Sequence, residues 1–150
     1  MTSRPAERAE LDTFLDPLLG FAHDMLKKHG EFYPFGATIG SDGEMALSGA
    51  DTGNEHPPSQ EVIDLLVGGM RAQAEAGSIR AAAICYDIRF RPEGGEPTDA
   101  IAMSLEHRAG DRALVVEPYS QGRFTGWKFA QLVAMAPPEP RIFVSKAEDA

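Results

Sequence analysis

Apolar and polar residues alternate with the two-residue period of a half-buried strand along three stretches: IRAAAICYDIRFR (79–91), DAIAMSLEHR (99–108) and RALVVEPY (112–119). In the first, Ile84, Tyr86, Ile88 and Phe90 share one parity, and Ala81, Ala83, Cys85, Asp87 and Arg89 share the other. In the second, Ile101, Met103 and Leu105 stand against Ala100, Ala102 and Ser104. Each strand therefore has a bulky side and a small side. The links between them, 92–98 and the Ala109-Gly110-Asp111 turn, are short enough to predict antiparallel pairing.

Upstream, the period changes. Leu11, Phe14, Leu15, Leu18, Leu19, Ala22, Met25 and Leu26 recur every three or four residues and predict a helix from about Ala6 to His29. Pro17 implies either a kink or a start near Leu15 with Asp16 as N-cap. Lys27, Lys28 and His29 followed by Gly30 suit a helix end. Phe32 to Gly40 alternates again. Ser41-Asp42-Gly43 then turns the chain into Glu44–Ser48, so a β-hairpin is expected, with Pro34 at a strand start or an edge.

A second helix is predicted from a Ser59 cap to about Ala76, with Val62, Ile63, Leu66, Met70 and Ala74 as its apolar stripe. Gly68-Gly69 in its middle suggests close approach of another backbone. Residues 120–136 fit either a strand near Trp127–Phe129 or a short helix capped by Thr125, and the strand is favoured. Ile142-Phe143-Val144, beyond Pro137, Pro138 and Pro140, is expected to dock as a last strand.

The element order is α-β-β-α-β-β-β with one uncertain further strand. It specifies an α+β domain over residues 1–150: a five- or six-stranded, mainly antiparallel sheet with two principal helices and frayed ends at about 1–7 and 145–150. This order resembles that of roadblock and profilin-like α/β sandwiches at the level of topology. The segments KHGEFYPFGATIGSDGE, EHPPSQEVIDLL, IRAAAICYDIRF, DAIAMSLEHR and VVEPY together resemble a family of small uncharacterised bacterial proteins over roughly Leu11 to Phe143. That resemblance implies no activity and carries no site residues.

Composition narrows the function classes. With 150 residues, 43% of them hydrophobic and 25% charged, the chain has material for one core, and no second core is expected. A formal net charge of −9 disfavours nucleic acid and anionic membranes, whose binding draws on Lys and Arg. No apolar run approaches the roughly 20 residues that span a bilayer, and the start carries no signal-peptide pattern, so a cytoplasmic location is expected. Cys85 is the one cysteine and has no disulfide partner in the chain.

Candidate chemistry is sparse. Glu55-His56 and Glu106-His107 place a carboxylate beside an imidazole, the raw material of a small hydrolase or a metal-dependent enzyme using His56 or His107. Neighbours on a strand point to opposite faces, however, so Glu106 and His107 should not converge, and His107 should close the core face with its ring bonded to backbone. No phosphate-binding or dinucleotide glycine motif occurs in strand–loop–helix context, so no nucleotide cofactor is implied, and no Cys/His spacing of the structural zinc type occurs, so no metal is implied. A small-ligand pocket near Tyr33, Tyr86 and Trp127 is a further possibility.

The leading expectation concerns surface. If the small sides align, Gly36, Thr38, Ala46, Ser48, Ala81, Ala83, Cys85, Ala100, Ala102 and Ala113 form a flat patch, which is either covered by a helix or used. With Tyr119, Arg123 and Trp127 as anchors, that patch would serve a non-enzymatic interaction module that binds a protein partner or pairs with itself.

Overall fold

The pairing of two neighbouring strands decides how the molecule is laid out. The computed structural model describes residues 5–50 and 52–144. The chain runs through α1 (Pro5–Asp12), α2 (Leu15–His29), β1 (Phe35–Gly40), β2 (Met45–Ser48), α3 (Ser59–Glu75), β3 (Ile79–Phe90), β4 (Thr98–His107), β5 (Arg112–Gly122), β6 (Gly126–Phe129) and β7 (Val133–Met135). The strands form one antiparallel sheet in the order β2-β1-β3-β4-β5-β6, with β7 also on β5. The class is α+β as expected. Seven strands rather than five or six arise because residues 120–136 supply two.

Ala83 lies opposite Leu105 and Cys85 opposite Met103, while Tyr86 lies opposite Ala102 and Ile88 opposite Ala100. The small side of β3 is thus continuous with the bulky side of β4, and the expected flat patch of small residues does not form. Parity sets the alternation within a strand and leaves open which side of the next strand it joins. Large side chains thus stand beside small ones across the β3–β4 pair on both faces.

On the first face, Leu11, Phe14, Leu18, Leu19, Ala22 and Leu26 of the N-terminal helical pair pack on Phe35, Ala37, Ile39, Ala81, Ala83, Cys85, Ile101, Met103 and Leu105. On the second, Val62, Ile63, Leu66 and Met70 of α3 pack on Ile79, Ala82 and Ile84 together with Ile142. The helix α3 reaches β1 and β3. Among the described residues, no helix packs in the part of this face made by Ala100, Ala102 and Val116, which pack with Tyr86, Ile88, Phe90 and Leu114.

The first helix is interrupted at Thr13–Phe14, and the second segment starts at Leu15 with Phe14, not Asp16, at the cap position. Pro17 is then the third helical residue, where a missing N–H leaves no bond unmade. Helix α1 begins at Pro5, inside the stretch expected to fray; residues 1–4 and 145–150 lie outside the described residues. Gly30 closes α2 at φ 78°, donating its N–H to Leu26 O, as its sequence position predicts. Ser59 opens α3 but makes no capping bond; Pro58 holds the cap position.

The double glycine in α3 behaves differently from expectation. A Cβ at Gly68 or Gly69 would meet nothing within 4 Å, since both face solvent. Close approach occurs instead at Gly36 of β1, where a Cβ would stand 2.5 Å from Met70 Cε and 2.6 Å from Ala83 O. The α3 side chain reaches this strand through that missing Cβ.

Two irregularities place functional groups. The β1–β3 register shifts between Ile39 and Gly40, so that Gly40 pairs with Ile79 and Arg80 is bypassed. At the far side, β5 divides its outer edge: Tyr119–Gly122 pair with β6 and Leu114–Val116 with β7. The division falls at Pro118, which has no N–H and accepts one bond from Ala130 N at 2.8 Å.

The C-terminal segment is not the expected strand. It crosses the second face, where the buried Glu106 carboxylate accepts the backbone N–H groups of Arg141, Ile142 and Phe143 at 3.0, 3.0 and 3.1 Å. Arg71 donates twice to Arg141 O, at 2.9 and 2.6 Å, and Arg112 donates to Pro138 O. The Arg141, Ile142 and Phe143 N–H groups that a ladder would use are taken by the Glu106 carboxylate, so side chains rather than a neighbouring strand satisfy this backbone.

Candidate functional site

The histidines are the first test of chemistry. His107 is buried at the end of the first face. Its Nδ1 accepts the N–H of Ala109 at 3.1 Å, so Nε2 carries the proton and donates to Glu10 Oε1 at 2.9 Å. Both ring nitrogens are engaged, and the bond to backbone agrees with expectation. The carboxylate partner is Glu10, from α1, rather than Glu106, which faces the other side. Glu10 also receives the Arg80 guanidinium, which lowers its pKa despite partial burial; His107 adds to the lowering. This cluster joins α1 to the sheet and leaves no free imidazole lone pair.

His56 is likewise paired with something other than its sequence neighbour. Its Nδ1 is 2.8 Å from the Tyr33 hydroxyl, on the exposed loop between β2 and α3. Among the described residues, no group of three or more His, Cys, Asp or Glu could hold a metal ion.

A polar cluster at the open end of the first face was not anticipated. Glu117, buried on β5, accepts a hydrogen bond from His23 Nε2 of α2 at 2.5 Å, and the imidazole stacks on Phe129 with centroids 3.7 Å apart. Tyr119 donates its hydroxyl to Asp87 Oδ1 at 2.9 Å. Desolvation raises the Asp87 carboxyl against the opposing effect of that bond, and burial with the same bond pushes the Tyr119 phenol up. Burial, with the charges of Asp87 and Glu117, also drives the Cys85 thiol well above its ordinary range. A thiol so placed stays protonated and is a poor nucleophile. The sequence signal for this cluster is a charged residue on a core parity: Asp87 follows Ala83 and Cys85, and Glu117 follows Ala113 and Val115.

The predicted surface residues divide between environments. Ala81, Ala83 and Cys85 are 0% exposed beneath the N-terminal helices, so they offer no contact surface. Tyr119 is buried, with Trp127 packed against it at 5.9 Å between centroids, and Arg123 is exposed in the β5–β6 turn beside Phe124. Tyr33, Tyr86 and Trp127 do not share a pocket: Tyr33 is beside His56, Tyr86 is on the second face and Trp127 is on the first.

Ala100 and Ala102 are the two that belong to a candidate surface. They are also 0% exposed, shielded by the side chains on either side of them rather than by a helix. Tyr86, Ile88 and Phe90 of β3 stand along one flank, and Leu114, Val116 and Pro118 of β5 along the other, so the alanines form the floor of a shallow apolar trough. The trough widens onto β7, where Val133 and Met135 pair with Val116 and Leu114 and remain 38% and 39% exposed. Leu132 beside them is 42% exposed.

No protein-family model, curated protein or solved structure compared with this chain matches it. No helix among the described residues is long and apolar enough to cross a membrane.

Proposed function

We propose that this chain is a non-enzymatic protein-interaction module whose contact surface is the helix-free half of the second sheet face. The observation that carries the reading is the trough itself: a floor of Ala100 and Ala102 between apolar flanks, continuous with exposed Val133 and Met135, with no helix among the described residues packed into it. Isolated exposed hydrophobics are ordinary on soluble proteins, whereas a contiguous apolar face on regular strands is typical of a surface that another chain covers.

The occupant is a different protein. A formal net charge of −9 on each copy opposes self-pairing and favours a partner of basic overall charge. The hydrolase reading finds less support, because both ring nitrogens of His107 are occupied and His56 is bonded to Tyr33.

The test is site-specific photocrosslinking in the cell of origin from a probe at Ile88 or Val133, with a control probe at Phe124, which is 93% exposed away from the trough. Crosslinks to one other protein from 88 and 133, lost on Ile88→Lys with the fold retained, are expected. Crosslinks to a second copy, matched by a dimer mass in light scattering, would replace the partner by self-association. Yields no higher than at Phe124 would end the reading.

A further inference from the structure

Away from the residues of the trough, α2, the lead-in to β1 and the loop before α3 line a crevice of about 300 Å3. We infer that it is a binding site for a small organic cation of the quaternary ammonium type, independent of the sheet-face reading.

The walls are aromatic. Phe21 and Met25 are one turn apart on α2, and Phe32, Tyr33 and Phe35 come from the segment entering β1. Their rings are inclined to one another rather than stacked flat. Phe21 and Phe35 have centroids 4.6 Å apart at 49°, and Phe32 and Phe35 are 6.0 Å apart at 74°. Aromatic ring faces carry the negative side of the quadrupole and attract a cation held within about 6 Å of the ring centroid. Phe21 is 40% exposed despite its size, at the open side of the crevice.

The charge is of one sign. Among the described residues lining the crevice, Glu55 is the one with a formal charge, and no Lys or Arg contributes. An anion would meet aromatic faces and a carboxylate with no compensating donor of positive charge. A neutral apolar molecule would gain burial but nothing from Glu55. A cation sheathed in methyl groups gains both, because it costs less to desolvate than a primary ammonium and still interacts with π faces and carboxylate. The volume is at the small end of ligand pockets, which suits a compact headgroup.

The experiment uses choline and its uncharged carbon isostere 3,3-dimethyl-1-butanol as probes, titrated into the intact protein and followed by methyl NMR of Met25 and amide shifts of residues 31–33, 35 and 52–56. Choline is expected to bind roughly threefold to thirtyfold more tightly than the isostere, the range that cation–π contacts span between exposed and desolvated sites. Glu55→Gln is expected to weaken choline and leave the isostere within about twofold, and Phe21→Ala to weaken both with the larger loss for choline, both substitutions being at exposed positions. Equal affinity for the two probes, shifts scattered outside the crevice, or saturating choline without any shift would overturn the inference. If Phe21→Ala loses the native amide spectrum, the isostere comparison and Glu55→Gln decide the matter.

Discussion

Glu106 and His107 are adjacent in the chain and hold opposite ends of it to opposite faces of the sheet. The Glu106 carboxylate accepts three backbone N–H groups of the C-terminal segment, and the His107 imidazole donates to Glu10 of the first helix. The strand's alternation separates them, so one β4 end fixes both termini of the described chain without the two side chains meeting.

Removing the acceptor at Glu106 should release one terminus selectively. Glu106→Gln turns an N–H toward backbone donors that need an acceptor, and is expected to cost about 1–3 kcal/mol in urea unfolding. Amide exchange at Arg141, Ile142 and Phe143 should accelerate beyond the global loss. Exchange that rises only in step with global stability would mean that Ile142 packing alone retains the segment.

The Glu10 cluster predicts a pH dependence of definite sign. Its folded pKa is depressed below the ordinary 4.5, chiefly by Arg80. The stabilisation is therefore complete above about pH 4.5 and lost as pH falls through the folded value. Unfolding of wild type and Glu10→Gln, compared at neutral pH and in steps below pH 4.5, should give a difference that is largest at neutral pH and shrinks with acid. A difference that grew on acidification would contradict the assignment.

Asp87 carries the opposite sign. Desolvation raises its carboxyl above the ordinary 3.8, so the charged form is disfavoured by folding. Asp87→Asn should leave stability unchanged below that value and improve it progressively as pH rises through the folded value, with Tyr119 still able to donate to the amide oxygen. A thermal midpoint at neutral pH lower than wild type would show that the Tyr119 bond to the carboxylate outweighs desolvation.

Glycine substitutions separate conformational cost from contact. Gly68→Ala and Gly69→Ala should each stabilise by roughly 0.5–1 kcal/mol, since both sit in a helix with open space at Cβ. Gly36→Ala should destabilise by about 1–3 kcal/mol, because the new methyl would meet Met70 Cε and the fixed carbonyl of Ala83. Denaturant midpoints of the three variants check both signs.

Cys85 offers a probe of opening. A protonated thiol at 0% exposure should react with an aromatic disulfide reagent only after the sheet and α2 part, at a rate that follows global unfolding. Fast labelling under native conditions would reveal a local route to the core at β3.

Much of this fold was legible in the sequence, and what was not has physical causes. The strands from Ile79 to Tyr119, the hairpin and both helical regions follow from periodicity and turn residues, which act over a few positions. The relative phase of β3 and β4 does not, because either registration satisfies the alternation of each strand. That choice removed Ala81, Ala83 and Cys85 from the expected patch and left Ala100 and Ala102 on the other side. The Gly68-Gly69 pair misled for a related reason: a glycine's backbone freedom is local, but what approaches it is not. Partners such as Glu10 and His107, or His23 and Glu117, are brought together by topology across more than ninety positions, and neither partner's neighbours announce it.

The split outer border of β5 has a bearing on how the protein behaves when crowded. One rim of the sheet is the four-residue β2, and the other is broken at Pro118 into pieces of four and three residues. Neither offers the long unpaired ladder on which a foreign strand could nucleate, so a chain with a broad apolar trough is protected from edge-to-edge polymerisation by the shortness of its borders.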